Sequence, residues 1–247
     1  MLRPPFSQDP ISINEWDVIV IGAGAAGLMS CLELPDNLNV LLLNRNTSKR
    51  SSSRWAQGGI ASVVRPEDSF ALHVEDTLNA GDGLCELDAV EMLVNEAPSC
   101  VERLQNLGMI FDQSLDQLST TLEAAHSCRR VLHVKDRTGR ALVEVLEDHV
   151  ENKKNILHCR GVRVTELLIE NQECRGVKVL DGSNFYWITS KAVVLATGGG
   201  GHLFTNTTNP AQSSGEGIAL SWKAGAAIED LEFIQFHPTA LKFYASP

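Results

Sequence analysis

The sequence predicts an α/β fold, a Rossmann-like domain with a parallel sheet, helices and a small antiparallel β-meander. Three observations predict it. Val18-Ile-Val-Ile21 is a continuous apolar run that opens onto Gly22-Ala-Gly-Ala-Ala-Gly27 and helix formers up to Leu34, the strand, turn and helix order of a nucleotide-binding unit. A second apolar run, Ala192-Val-Val-Leu-Ala196, ends in Thr197-Gly-Gly-Gly-Gly201. Between the two, from Ile156 onward, the apolar period shifts from helical toward alternating, as expected where strands replace helices.

The elements follow in order. Residues 1–15 are polar and proline-containing, without the basic start and apolar stretch of a secretory signal, and read as a disordered lead-in. Behind the first strand and helix, Val40-Leu-Leu-Leu43 is the next buried strand. Val90, Leu93, Val94, Ala97, Val101, Leu104 and Leu107 recur at helical spacing, predicting a core helix bent by Pro98. Leu142, Val145, Leu146 and His149 make a second helical pattern after Thr138-Gly139. Val162 and Val164 alternate with charged neighbours, and Asp181-Gly182 separates residues 177–180 from 185–188, which predicts a hairpin within an antiparallel meander. Residues 192–196 then return to the first sheet as a buried strand, and the glycines after it let backbone approach a ligand.

Composition narrows the classes. A chain of 247 residues with 43% apolar content can bury a sizeable core in one large or two small α/β domains. Thirty-one acidic against twenty-one basic residues leave a net charge of −10, and no basic cluster is dense enough to track a phosphate backbone, which argues against nucleic acid. The longest apolar runs are strand-sized, so no membrane span is expected. Cys31, Cys85, Cys100, Cys128, Cys159 and Cys174 have no Cys-x-x-Cys or metal spacing and read as reduced thiols of a cytoplasmic protein. His73, His149, His158 and His202 lie on separate elements, and no metal site is expected.

Chemistry concentrates at two glycine motifs. In the first, Gly22 permits the tight turn, Gly24 lets backbone approach a pyrophosphate and Gly27 lets helix pack on strand, with Ala23, Ala25 and Ala26 completing the small-residue cradle. Standing alone, such a motif is also compatible with an accidental turn. The usual acidic ribose ligand about twenty residues on is replaced by Asn44-Arg45; Asn44 can accept a hydrogen bond and Arg45 can meet a phosphate. The second motif, Trp55-Ala-Gln-Gly-Gly59, follows about thirty residues after the first, with a Ser/Gly-rich surface loop as its alternative reading.

The two motifs at this spacing, with Asn44-Arg45 between them, resemble L-aspartate oxidases of the succinate dehydrogenase and fumarate reductase flavoprotein superfamily, and the resemblance runs from Asp17 to Lys242. It implies FAD rather than NAD. Ser52, Ser53, Arg54, Trp55, Ala56, Gln57, Gly58 and Gly59 would then wrap the flavin, main-chain amides facing its phosphates and ring and Gln57 standing beside the ring. Relatives acting on succinate carry a flavin-linked histidine where this chain has Ser52, so FAD is expected without a covalent bond. Thr197 and Gly198 are implied at the cofactor. Thr207-Thr-Asn-Pro210 with Ser214-Gly-Glu-Gly217 is a further match, placing Glu216, where aspartate is usual, on a flavin-side hydroxyl.

Glu123-Ala-Ala-His-Ser-Cys-Arg-Arg130 resembles the family's Glu-Gly-Gly-His-Ser-x-x-Arg stretch that closes over the substrate. It departs at Ala124-Ala125, where glycines are usual, and at Leu122, where arginine is common. Glu123 would select the substrate, because a carboxylate repels succinate or fumarate and pairs with the ammonium of an amino acid; a solvated loop residue is the alternative. Gln235-Phe-His-Pro-Thr-Ala240 matches across the superfamily and implies that His237 contacts a substrate carboxylate, against the plainer reading of a structural histidine. His126, His133, Arg129 and Arg130 stay open between dicarboxylate ligands and partners of acids such as Asp136 or Asp112.

The implied activity is transfer of hydride from the α-carbon of L-aspartate to FAD, giving iminoaspartate, with oxygen or fumarate as electron acceptor. This is the first step of de novo NAD biosynthesis and carries a functional link to quinolinate synthase. By the same resemblance residues 16–243 are the first segment of the FAD-binding domain and residues 244–247 the truncated start of a capping domain. The chain is then a fragment, under half of a family member, and the catalytic arginine lies beyond it. A soluble fumarate reductase or succinate dehydrogenase-like flavoprotein is the alternative within enzymes, and a non-catalytic FAD-binding module the alternative outside them.

Overall fold

The computed structural model of the protein describes residues 16–47 and 51–236. In chain order the elements are β1 (Trp16–Ile21), α1 (Ala25–Glu33), β2 (Val40–Asn44), α2 (Ser52–Trp55), β3 (Ile60–Ala61), α3 (Phe70–Gly81), α4 (Leu87–Asn106), β4 (Gln113–Ser114) and β5 (Gln117–Leu118). There follow β6 (Thr120–Thr121), β7 (Val131–Leu132), α5 (Thr138–Asn152), β8 (Ile156–Arg160), β9 (Val162–Glu170), β10 (Glu173–Asp181), β11 (Asn184–Leu195) and α6 (Glu216–Lys223). They fall into two compact units: Ser53–His149 forms one, and the described residues up to Ser52 and from Val150 form the other.

The latter unit is built on a six-stranded sheet in the order β8-β2-β1-β11-β10-β9. Strands β8, β2, β1 and β11 run parallel, whereas β10 pairs antiparallel with β11 and β9. Val18 to Ile21 and Val40 to Leu43 are buried without alternation, the pattern of strands covered on both faces. Ile19, Ile21, Leu41 and Leu43 share one core with Val162, Val164, Val177, Val179 and Ile188, so the parallel half and the meander are packed by the same apolar residues.

Two expectations about the returning strand are corrected. Residues 185–188 and 192–196 are not separate strands: β11 is one twelve-residue strand whose first part pairs with β10 and whose second part, from Ser190 to Leu195, pairs with β1. Nor is its end buried. Ala192 is exposed and Leu195 is 39% exposed, because pairing along both edges satisfies the backbone without covering the side chains on either face.

In the unit from Ser53 to His149, α4 buries Val90, Val94, Val101 and Leu104 and runs through Pro98. The expected core helix is amphipathic instead, with Leu93 67% exposed on the outer face. The helix expected behind Thr138-Gly139 is α5, and within this unit it buries Val143 and Leu146, not Leu142 and Val145. Strands β3, β7 and β6 make a small antiparallel sheet. All six cysteines are free thiols, and burial pushes Cys31 up to about 12. Among the described residues no helix is long and apolar enough to cross a membrane, and no cluster of side chains has the makings of a metal site.

Candidate functional site

The turn from β1 into α1 is closed by contacts that exclude side chains. Gly22 has φ of +107°, and a Cβ there would stand 2.3 Å from the Ala196 carbonyl oxygen. At Gly27 it would stand 1.9 Å from the Gly22 carbonyl oxygen. The turn is thereby pressed against itself and against the end of β11. Gly24, which has no side chain, is the N-cap of α1, and no side chain caps the helix there; a helix N-terminus lined by Ala23, Ala25, Ala26 and Gly27 is a place that favours an anion.

The loop after β11 joins the same place. A Cβ on Gly217, in the first turn of α6, would lie 1.7 Å from Thr197 Oγ1, and the amide of Gly215 donates to the Gly199 carbonyl at 3.2 Å. Gly198 takes φ of +74° with nothing near its open face. Arg45, just past β2, donates to Ser214 Oγ at 3.1 Å and to the Gln212 carbonyl at 2.9 Å and forms an ion pair with Glu216 at 2.5 Å. Glu216 also pairs with Arg163 at 2.7 Å. Ser52 and Ser213 share a hydroxyl hydrogen bond of 2.7 Å, and Gln212 Oε1 is buried without a partner. Gly22 to Gly27, Arg45, Ser52, Thr197, Gly198 and Glu216 therefore converge at the carboxyl ends of β1, β2 and β11, where open α/β sheets bind ligands.

Ser53 to Gly59 belong to the other unit, where the start of α5 holds them. A Cβ at Gly139 would meet the Ser53 carbonyl oxygen at 2.0 Å, and the Gly139 amide donates to the Ala56 carbonyl at 3.0 Å. Arg54 pairs with Glu144 and Glu147 of α5. Gly59 passes so close to β7 that a Cβ would lie 2.1 Å from the Leu132 carbonyl oxygen. Trp55, Ala56, Gln57 and Gly58 are exposed, leaving the Gln57 side-chain amide open to a ligand.

Glu123 lies in an exposed turn in the same unit, its carbonyl accepting from the His126 amide at 3.2 Å. The turn requires a left-handed residue, and Ala125 supplies it with φ of +66°, one of the two positions where the resemblance puts glycine. Beyond the turn the chain is fastened by Arg130, which is fully buried. Its Nε and Nη2 donate to the two Asp68 oxygens at 2.8 and 2.7 Å, a bidentate fork, and Nη1 donates to Asp76 at 2.5 Å. Asp76 also accepts from the Ser127 amide and hydroxyl at 2.8 and 2.9 Å.

Arg130 is thus a structural ion-pair centre, and its partners are neither Asp112 nor Asp136. Asp112 accepts instead from His133 Nδ1 at 3.0 Å and from the Lys135 amide at 2.7 Å. Asp68 and Asp76 are not marked by any motif; the Asp-Ser pair ahead of α3 signals a helix start, but nothing local points from it to Arg130. His237 lies outside the described residues.

The electrostatics follow the contacts. The fork with Arg130 is the largest influence on Asp68 and holds its carboxyl below the usual range. Burial pushes Asp76 upward, and the Ser127 amide, Arg130 and the Ser127 hydroxyl together outweigh it, holding Asp76 at about 2. His73, buried beside this cluster, is lowered by desolvation first and by the Arg130 charge second.

A family model described as FAD binding domain matches residues 17–245. The chain belongs to the FAD binding domain family. It is 50% identical over 230 residues to the L-aspartate oxidase of Nostoc sp. PCC 7120 and 49% identical over 230 residues to that of Synechocystis sp. PCC 6803, each match covering 92% of this chain. The FrdA chain of an E. coli quinol fumarate reductase variant superposes with a TM-score of 0.88 at 28% identity, covering 92% of this chain and 40% of that one. Mycobacterium smegmatis Sdh1 gives a TM-score of 0.83 at 31% identity, covering 91% and 41%. The chain spans 40% and 42% of the two cyanobacterial relatives' lengths.

FAD is the cofactor of this domain, and the residues present fit a dinucleotide. The turn at Gly22 and Gly27 can close on itself only because both positions lack a Cβ, which sets a helix N-terminus where a diphosphate is favoured, and the buried Gln212 Oε1 and the hydroxyls of Ser52 and Ser213 line the same strand ends. Arg45 and Glu216 are paired with each other, so a ribose hydroxyl or phosphate reaching either one would share it with that ion pair.

Two outcomes are expected. Ala125→Gly removes about 1–2 kcal/mol of left-handed strain against about 0.4–1 kcal/mol of added chain entropy in the unfolded state. Urea unfolding should show a net gain of about 0.5–1 kcal/mol for the variant. Asp76, lowered from 3.8 to about 2, contributes stability that is complete above its unfolded value and lost as the pH falls through the folded one. Unfolding midpoints should drop between pH 4 and pH 2 in the wild type and drop less steeply in Asp76→Asn.

Proposed function

We propose that the chain is the first segment, over residues 16–243, of the FAD binding domain of an L-aspartate oxidase, a flavin-dependent oxidoreductase, with residues 244–247 opening a capping domain. One observation carries this reading: the identity of 50% to an L-aspartate oxidase over 92% of the chain spans Glu123, an acid in an exposed turn free to meet an ammonium group. FAD supplies the hydride acceptor for the α-carbon of L-aspartate, and iminoaspartate is the product. Reoxidation by oxygen or fumarate, delivery of the product toward quinolinate and NAD in the cytoplasm, and a link to quinolinate synthase belong to the same proposal.

This chain's own residues bind and orient. The helix N-terminus after Gly24 and the loops at Thr197-Gly198 and Ser53–Gly59 hold the cofactor, Glu123 pairs with the substrate ammonium, and His237 contacts a substrate carboxylate. Charge matching of this kind selects an amino acid over a plain dicarboxylate by repulsion as well as attraction. The fumarate reductase superposition favours a second reading, a soluble fumarate reductase, which Glu123 argues against.

Substitution of Glu123 by Gln in the full-length protein should raise KM for L-aspartate about tenfold or more, the scale of one charged hydrogen bond, and leave bound FAD unchanged; an unaltered KM contradicts the assignment. Ser52 offers no imidazole for a flavin linkage, so acid precipitation of the protein should leave all flavin in the supernatant. Yellow colour retained on the washed pellet contradicts that.

A further inference from the structure

We propose that His126 is a substrate-binding and specificity-determining residue, whose ring is locked by Arg130 as the tautomer that presents Nε2–H to a carboxylate of the amino-acid substrate. The inference rests on the proposed substrate reading and extends it to a second side chain of the Glu123 turn. Arg130 Nη1 stands 3.2 Å from His126 Nδ1. A guanidinium carries five N–H donors and no acceptor, so the imidazole nitrogen facing it accepts, and the one proton of the neutral ring sits on Nε2. Arg130 is itself immobile: it is fully buried, forked onto Asp68 and bonded to Asp76. The second proton of Nη1 is left for His126 once Asp76 has taken the first.

The backbone of His126 is fixed as well. Its amide closes the turn on the Glu123 carbonyl at 3.2 Å, and the next residue, Ser127, is tied to Asp76 by its amide and hydroxyl. The ring also meets His73 at 5.7 Å between centroids with the planes tilted by 57°, and His73 is buried, with its pKa lowered by desolvation. Held on these sides, His126 is half-buried rather than covered, and among the described residues Nε2 has no hydrogen-bond partner. The turn therefore offers, three residues apart, a carboxylate that takes an ammonium and an N–H that takes a carboxylate oxygen. That pairing recognises both charged ends of an amino acid, and Arg130 sets the donor half of it.

The test uses the full-length, FAD-loaded protein and two substitutions that divide the imidazole's functions. His126→Gln keeps a donor near the Nε2 position; His126→Asn keeps an acceptor toward Arg130 and removes the outward donor. Loss of the outward donor should raise KM for L-aspartate about tenfold or more with kcat and FAD content little changed, while His126→Gln should stay within about threefold of wild type. Equal KM in all three proteins overturns the role, and so does an equal loss in both variants, which would mark a packing residue. Nitrogen-15 spectra of histidine-labelled wild type give an independent reading: the proton belongs on Nε2 of His126, and a proton on Nδ1 overturns the proposal whatever the variants do. Wild-type flavin that does not respond to L-aspartate overturns the substrate reading and this role together, whereas a responsive wild type with an unaffected His126→Asn overturns this role alone.

Discussion

The nucleotide-binding half of the molecule depends on how closely the chain approaches itself at the turn from β1 into α1. A methyl group at Gly22 would sit 2.3 Å from the Ala196 carbonyl and one at Gly27 only 1.9 Å from the Gly22 carbonyl, distances at which atoms overlap. This contact lets a helix N-terminus stand at the carboxyl end of a parallel strand, the place where a helix dipole favours an anion. It also explains the need for β11, since Ala196 at the end of that strand forms the other wall. The long strand brings Thr197-Gly198 and, through the contact of Gly217 with Thr197, the Ser214-Gly-Glu-Gly217 segment to the same place.

The unit from Ser53 to His149 depends on a different force. Arg130 and Asp68 have side chains 0% and 1% exposed, and burying isolated charges of this kind costs several kcal/mol each. A bidentate fork, a second carboxylate on Nη1 and two further hydrogen bonds to Asp76 offset that cost by satisfying the donors of the guanidinium and the free oxygens around it. The consequence is positional. Asp68 ahead of α3, Asp76 within α3 and the turn that carries Glu123 and His126 are held in one arrangement, so a loop with an exposed acid at its tip has a rigid base.

Much of this was legible in the residues, and the exceptions share a cause. Local patterns carry β1, the glycine turn, α1 and β2, because an apolar run, two obligatory glycines and helix formers within twenty residues leave one arrangement. The Asp181-Gly182 hairpin was equally local. Misreading β11 as two strands came from its two partners: residues 184–189 belong to an antiparallel pair and residues 190–195 to a parallel one, and no change in composition marks the switch. Arg130 was recognisable as a candidate, yet its acids stand 62 and 54 positions away, while the nearer Asp112 pairs with His133 instead. Long-range ion pairs leave no periodicity to read. Arg45 and Glu216 were both assigned to a cofactor from their motifs, while their pairing with each other appears only once the loops are folded together.

The proposed role of the Glu123 turn is to select an amino acid as hydride donor. It is tested most directly by adding L-aspartate, and separately succinate, to the FAD-loaded full-length protein without oxygen and following the flavin's visible absorbance. Bleaching by L-aspartate with none by succinate is the predicted result. Bleaching by succinate alone, or by neither, contradicts it.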